Sequence, residues 1–561
     1  NVLVGCGSNV KGVEKGWPYA ANTVVEKTPE EVEKPFLTVN DGKYSVFVPK
    51  VKNNTVGVSW SGDKVDGEFI DLDKFYVAKP GDTAAKINGE IKDGKNLILT
   101  PGIYEISEPI TITNENTVVL GLGYATLKPT KGNQCMTIAD VKGVKVAGVL
   151  FDAGSKKSST LLTVGTEKNT NDNSDNPICL IDTFYRVGGA DSTPGKTTNC
   201  VVINSNNVIG DNFWIWRADH GAGVAWDKNT ADTGVIFNGD NITTYGLMVE
   251  HFQKYQTVWN GNGGKCYMYQ SELPYDITSQ SVWNAPGTYG YADYKVNSNV
   301  TSHEGYGIGI YSCYQKAQCY LKSAVECPNT ANVKFTNVCT YSLVGNGGID
   351  YAINKAGYGS GNMCKVLSYV NGKAQLDKTY EKARKGIYEN HIQISGDFDY
   401  DSNMQRVYTK TYTGKNITPK VVVTVDGLKL RNGVDYTVKY TNNKNIGNGK
   451  ITITGINAYR ESTTFTLKIR PAKAKVAKKK ITKKKATLKL SKVLGATGYE
   501  VSYSTKSNFK KKNTVTKKTK KLKVTVKRTK KMPKGYIRVR AYKKVGKKYY
   551  YGKYSKKIRV K

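Results

Sequence analysis

Glycosidic bond hydrolysis needs a carboxyl group kept protonated and usually a second group to handle water or the developing cation. Glu250 and Glu272 are 22 residues apart, close to one turn of a β-solenoid. Stacking of equivalent positions about 4.8 Å apart would bring them together. Like charges that close raise one pKa, and a sheltered setting raises it further. Tyr267, Tyr269, Leu273 and Tyr275 flank Glu272 and could supply that setting. Glu272 is therefore the expected general acid, Glu250 its partner and Asp219 the reserve. The structural alternative is that these are surface or ladder carboxylates.

Only four histidines occur, and three lie in related text. Ala218-Asp-His, Val249-Glu-His and Ser302-His-Glu each couple an acid and a histidine to a downstream aromatic. On stacked coils His220, His251 and His303 would form one polar row with Gln253 and Gln270. Trp259 and Tyr275 would offer ring faces to a sugar. A three-histidine metal site is disfavoured because coil offsets separate the outer two, and no cofactor is implied. A polysaccharide lyase would need a base such as Lys254 or Arg217, but no cluster of basic residues or calcium-binding acids accompanies them.

Positioning such residues requires short strands at regular spacing. Val141–Asp152, Asn199–Asn204, Asn207–Trp216, Gly234–Asn241 and Asn332–Asn337 are strand-like runs, mostly bounded by Asn, Asp or Gly. That pattern reads as an all-β, right-handed parallel β-helix, whose coils bury a continuous apolar interior only by stacking. Asn at the corners can build hydrogen-bonded ladders. Two short helices are expected, at Thr28–Glu33 and Thr83–Ile91. The expected divisions are 1–75, the end of an upstream β-helix domain and a connector with an edge at Trp60; 76–400, the β-helix; 405–470, an Ig-like β-sandwich; and 471–561, a Lys-rich fibronectin type III-like β-sandwich. Strands at eight-to-twelve-residue spacing after residue 405 carry the sandwich reading.

The net charge of +38 is not evenly spread. Residues 471–561 hold 35 lysines and arginines against Glu500 alone, a net +34. This module is expected to hold an anionic cell-wall polymer, with no specific nucleic acid implied. There is no transmembrane run. The chain starts at Asn1 rather than Met, so an upstream piece is expected. All ten cysteines precede residue 365 without a CxxC pair. Buried thiols are expected, with Cys313–Cys319 as the one suggested disulfide.

The run Gly239-Asp-Asn-Ile-Thr-Thr-Tyr-Gly-Leu-Met-Val-Glu-His-Phe-Gln-Lys-Tyr-Gln-Thr-Val-Trp-Asn-Gly261, followed by Tyr267-Met-Tyr-Gln-Ser-Glu-Leu-Pro-Tyr-Asp276, resembles bacterial glycoside hydrolase family 55-like proteins. The resemblance covers roughly residues 1–370. It implies inverting exo-β-1,3-glucanase chemistry at the junction of two β-helix domains, of which this chain holds the second and the end of the first. The final module resembles fibronectin type III repeats of gut Firmicutes surface proteins, and the one before it resembles bacterial Ig-like repeats. A secreted or surface-attached glycosidase acting on a polysaccharide is the leading expectation. A non-catalytic glycan-binding adhesin on the same scaffold is the other.

Overall fold

The computed structural model describes residues 2–7, 23–59, 65–167, 169–359, 363–377, 384–527 and 534–560, with the side chains of 344 and 345 left aside. The chain divides into two compact units, Asn1–Ala383 and Arg384–Lys561.

The first unit is built on one 22-stranded sheet that winds from Phe75–Ala78 to Lys373–Leu376. It is a right-handed parallel β-helix. Seven of its strands position the site: β1 (Lys145–Asp152), β2 (Ile178–Val187), β3 (Val208–Arg217), β4 (Thr243–Glu250), β5 (Gly264–Glu272), β6 (His303–Glu326) and β7 (Val333–Ile353). Each pairs in parallel with the next, one coil further on.

A corner interrupts all seven at the same rung. Gly148, Asp182, Asn212, Gly246, Met268, Gly307 and Asn337 stack there with φ between 49° and 68°. Glycine and asparagine tolerate this left-handed backbone best, so the corner column selects them. Beyond the corner, alternation sends one residue inward and the next outward. Phe213, Ile215, Leu247, Val249, Tyr269, Ile308 and Ile310 fill the core, while Trp214, Trp216, Glu250, Gln270, Glu272 and Tyr311 turn outward. A second corner carries an amide ladder. Asn238 donates to Asn204 (2.7 Å), Asn260 to Asn238 (2.6 Å), and Asn297 to Asn260.

One end of the core is covered by the helix α1 (Ala84–Lys92), which buries Ala84, Ile87 and Ile91. Thr83 caps it by accepting from the Lys86 amide at 3.2 Å. The other expected helix does not form. Thr28–Glu31 is a strand, antiparallel to Lys52–Thr55. A sheet of Phe36–Asn40, Lys43–Pro49 and Gly67–Asp71 belongs to the same segment. Its Val46 and Val48 join Val32 and Phe75 in a cluster with Leu120, Ala147 and Ile181 of the solenoid. Trp60 lies outside the described residues.

The solenoid ends before residue 400. Ile392–Ile394 pairs with Val421–Val425, and Ile387 and Ile392 pack in the first core of the second unit, so this strand belongs with the sandwich. That unit has two cores, one around Tyr408, Ile451 and Phe465 and one around Leu488, Tyr499 and Val539. All ten cysteines are free, so Cys313 and Cys319 form no bridge. No helix among the described residues is long and apolar enough to cross a membrane.

Candidate active site

The rung four residues past the corner of β1 to β7 reads Asp152, Arg186, Trp216, Glu250, Glu272, Tyr311 and Tyr341. Arg186 pairs with Asp152 through Nε at 3.1 Å and Nη2 at 2.9 Å, closing one end of the column. Glu250 and Glu272 are direct neighbours in it. Two acids thus occupy adjacent positions of one column.

Their surroundings differ. Trp214 Nε1 donates to Glu250 Oε2 at 3.0 Å, and Gln270 supplies a further donor. Burial nevertheless pushes the Glu250 carboxyl above the usual range, and the charge of Glu272 adds to the rise. Glu272 accepts a hydrogen bond from the Tyr275 hydroxyl at Oε2. His251 Nε2 stands 3.7 Å from Glu272 Oε2 and 3.6 Å from Asp219 Oδ1. Its Nδ1 lies 3.1 Å from the Leu273 carbonyl, which can only accept, so Nδ1 carries the proton. The Tyr275 ring meets the His251 ring edge-on at 4.6 Å. Asp219 also binds His220 Nδ1 at 2.7 Å, and the His220 ring lies 5.2 Å from Trp216. Trp216 stacks on Trp214 at 5.6 Å, which builds an aromatic wall beside the acids.

The sequence expectations therefore divide. Glu250, Glu272, Asp219, His220, His251, Tyr275 and Gln270 converge. His303 does not: it sits at the opposite end of its strand, opposite Gly264, and is 1% exposed among Trp259, Tyr294 and Phe335. Burial pushes its pKa down to about 3. Trp259 is likewise core, fully buried and stacked on Phe237 at 4.0 Å. Gln253 spends its amide on the Trp226 carbonyl and the Ala231 amide. The aligned Asp-His and His-Glu pairs misled because Asp219 lies three residues beyond the rung that holds Glu250, and His303 lies eight before the rung of Glu272. Asp219 reaches the site by the loop that follows β3, not by stacking.

Arg217 and Lys254 are not free bases. Lys254 is bound to Asp232 at 2.8 Å, and Arg217 is sealed inside against Asp276. Trp214, Trp216 and Tyr311 join the site although the spacing of acids and histidines did not single them out. Counting rungs from the Asn/Gly corner finds them, since each sits two or four residues past it.

The fold and the site define a parallel β-helix protein with paired acids on an outward rung, walled by aromatics. Residues 75–272 match the LAM55 pectate lyase-like domain. It is 44% identical over 353 residues to an exo-β-1,3-glucanase of Streptomyces sp. strain SirexAA-E, taking in 62% of this chain and 58% of that protein. The solved structure of sacteLam55A from Streptomyces sp. SirexAA-E superposes with a TM-score of 0.61 at 42% identity, over 63% of this chain and 65% of that one. A glutamate-to-alanine variant of sacteLam55A, in complex with glucose, superposes equally well. The chain thus spans less than two thirds of the length of these relatives.

Proposed function

We propose that the solenoid is a glycoside hydrolase acting on β-1,3-glucan, with Glu272 as general acid and Glu250 as the carboxylate that shares its proton. The observation that carries the reading is the Glu250–Glu272 rung, supported by the similarity to an exo-β-1,3-glucanase. The charge of the neighbouring Glu272 helps Glu250 to hold a proton. In the unliganded protein burial favours that proton on Glu250. A sugar seated against the tryptophan wall would cover Glu272, whose side chain is 27% exposed, and strip its remaining water. The proton then passes through Glu272 to the glycosidic oxygen as its bond to the anomeric carbon breaks, and a water molecule adds to that carbon and releases its proton to solvent, from which the pair is reprotonated. Tyr275 orients the Glu272 carboxyl, and His251, held through Nδ1 by the Leu273 carbonyl, turns Nε2 toward both Glu272 and Asp219.

The test is glucose release from a linear β-1,3-glucan. Glu272→Gln should keep glucan affinity and lower turnover by orders of magnitude, with partial rescue on aryl glucosides whose leaving group needs no proton. Binding without turnover in the unaltered chain would favour a glycan-binding role on the same scaffold. We further propose that the protein works outside the cell, held to an anionic wall polymer by its basic C-terminal sandwich.

A further inference from the structure

In the last sandwich, Tyr499, Val501, Tyr503, Ile537, Val539 and Ala541 point into the core. Alternation therefore turns Glu500, Arg538, Arg540 and Tyr542 to the other face of the same sheet. On that face rings and cations alternate without a break. The Arg538 guanidinium lies 4.2 Å from the Phe509 ring and 3.7 Å from Tyr554. Arg540 lies 4.5 Å from Tyr554 and 3.8 Å from Tyr551. Lys518 Nζ follows at 5.6 Å from Tyr551 and 3.7 Å from Tyr549, and Lys544 ends the row 5.7 Å from Tyr549.

Glu500, the sole acid between residues 471 and 561, is buried beneath the row. It accepts from Arg540 at 2.7 Å and from the Tyr554 hydroxyl at 3.0 Å. One cation is thereby neutralised. Arg538, Lys518 and Lys544 have no ion-pair partner among the described residues.

We infer that this row is the docking face for a polyol chain joined by phosphodiesters. The inference rests on the reading that the basic sandwich holds an anionic polymer, and it names the face and the chemistry. Rings open on both sides would suit nucleobases or the apolar face of a uronate sugar. Here Tyr551 and Tyr554 each have two cations over the ring, so their π-systems are engaged by the protein's own side chains. What the row offers a ligand is a line of positive charge, held in place by the rings between. A flexible phosphodiester chain brings charge without flat surfaces and matches that line.

The experiment uses the full chain and immobilised poly(glycerol phosphate). Lys518→Gln, Lys544→Gln and Arg538→Gln should each weaken binding about fivefold, the scale of one basic residue at an anionic surface. Lys478→Gln and Lys480→Gln remove the same charge from exposed positions on the other sheet and should each change binding less than about twofold. Near-ultraviolet circular dichroism should be unaltered in the lysine variants, which keeps the result interpretable if Arg538→Gln unfolds. Equal losses at ladder and control positions would overturn the docking face while leaving general anchoring intact. Tighter binding to oligodeoxythymidylate or to phosphatidylglycerol vesicles would overturn the polyol assignment, and tighter binding to polygalacturonate would overturn the phosphodiester assignment. Absence of binding to every anionic probe at low salt would overturn the anchoring reading as well.

Discussion

Arg217 and Asp276 form a two-pronged ion pair, Nη1 to Oδ1 at 3.1 Å and Nη2 to Oδ2 at 2.8 Å, with the arginine side chain wholly removed from solvent. The remaining donors of Arg217 go to the carbonyls of Asn229, His251 and Ala225. One side chain thus ties the loop after β3, the residue after β4 and the turn after β5, which between them carry Asp219, His251 and Tyr275. Asp276→Ala leaves a buried, uncompensated charge and should cost about 3–5 kcal/mol in denaturant unfolding. Asp276→Asn should cost less and still reduce turnover, because the turn holding Tyr275 loosens.

Trp214→Phe retains the ring wall and removes the hydrogen bond to Glu250. That bond favours the ionised carboxylate and opposes the effect of burial. Its loss should raise the pKa of the acid pair further. The alkaline limb of the kcat/KM profile should move to higher pH by up to about one unit. An unmoved limb would separate Glu250 from the proton that the reaction uses.

Two tryptophans should behave oppositely when truncated. Trp259→Ala opens a cavity between Phe237 and Tyr294 and should cost about 3–5 kcal/mol. Trp216→Ala removes a ring from the outer wall, so thermal unfolding should shift little while KM for glucan rises. Thermal melts and steady-state kinetics on the same two proteins distinguish the roles.

Asp293 is fully buried inside the solenoid, accepting from Tyr269 at 2.8 Å and Ser271 at 2.6 Å. Burial pushes its carboxyl up to about 7, and the two hydrogen bonds only partly oppose this. The folded chain therefore holds this proton more tightly than the unfolded chain, whose pKa is near 3.9. The resulting stability is present in full below about pH 4 and is lost as pH rises through about 7. Asp293→Asn should flatten the decline in unfolding free energy between pH 4 and pH 8, and at pH 8 it should be the more stable protein. A wild-type curve that rises over this range would contradict the assignment.

The solenoid and the acid pair were legible because both follow from period. Short strands bounded by Asn and Gly give the coil, and a 22-residue separation matches one coil there. The histidine row was not legible, since adjacent coils differ in length: β3 to β4 advances 34 residues and β5 to β6 advances 39 between the paired rungs Trp216, Glu250, Glu272 and Tyr311. Similar words in the sequence then fall at different rungs. The inward or outward sense of Trp259 and His303 depends on the rung too, and composition carries no such information. The segment Thr28–Glu31 looked helical from its acids, but it is held as a strand by pairing with Lys52–Thr55, a partner that local sequence does not reveal.

Within the solenoid each strand pairs chiefly with those of the neighbouring coils, so unfolding passes along the stack, braced by the segment of Glu30 and Lys34 that reaches Tyr245 and Asp182. Glu250 and Glu272 meet across one coil boundary, and their partnership lasts as long as that boundary does. Loosening that begins beside α1 must pass the coils of Val118, Lys145, Ile178 and Val208 before it reaches the pair. Loosening that begins at Leu376 has only the strand Cys364–Val370, β7 and β6 to cross. The shorter path to the acids proposed to be catalytic therefore starts at the Leu376 end of the stack, and tightening a coil interface there should protect them from heat more than reinforcing the helix-capped end.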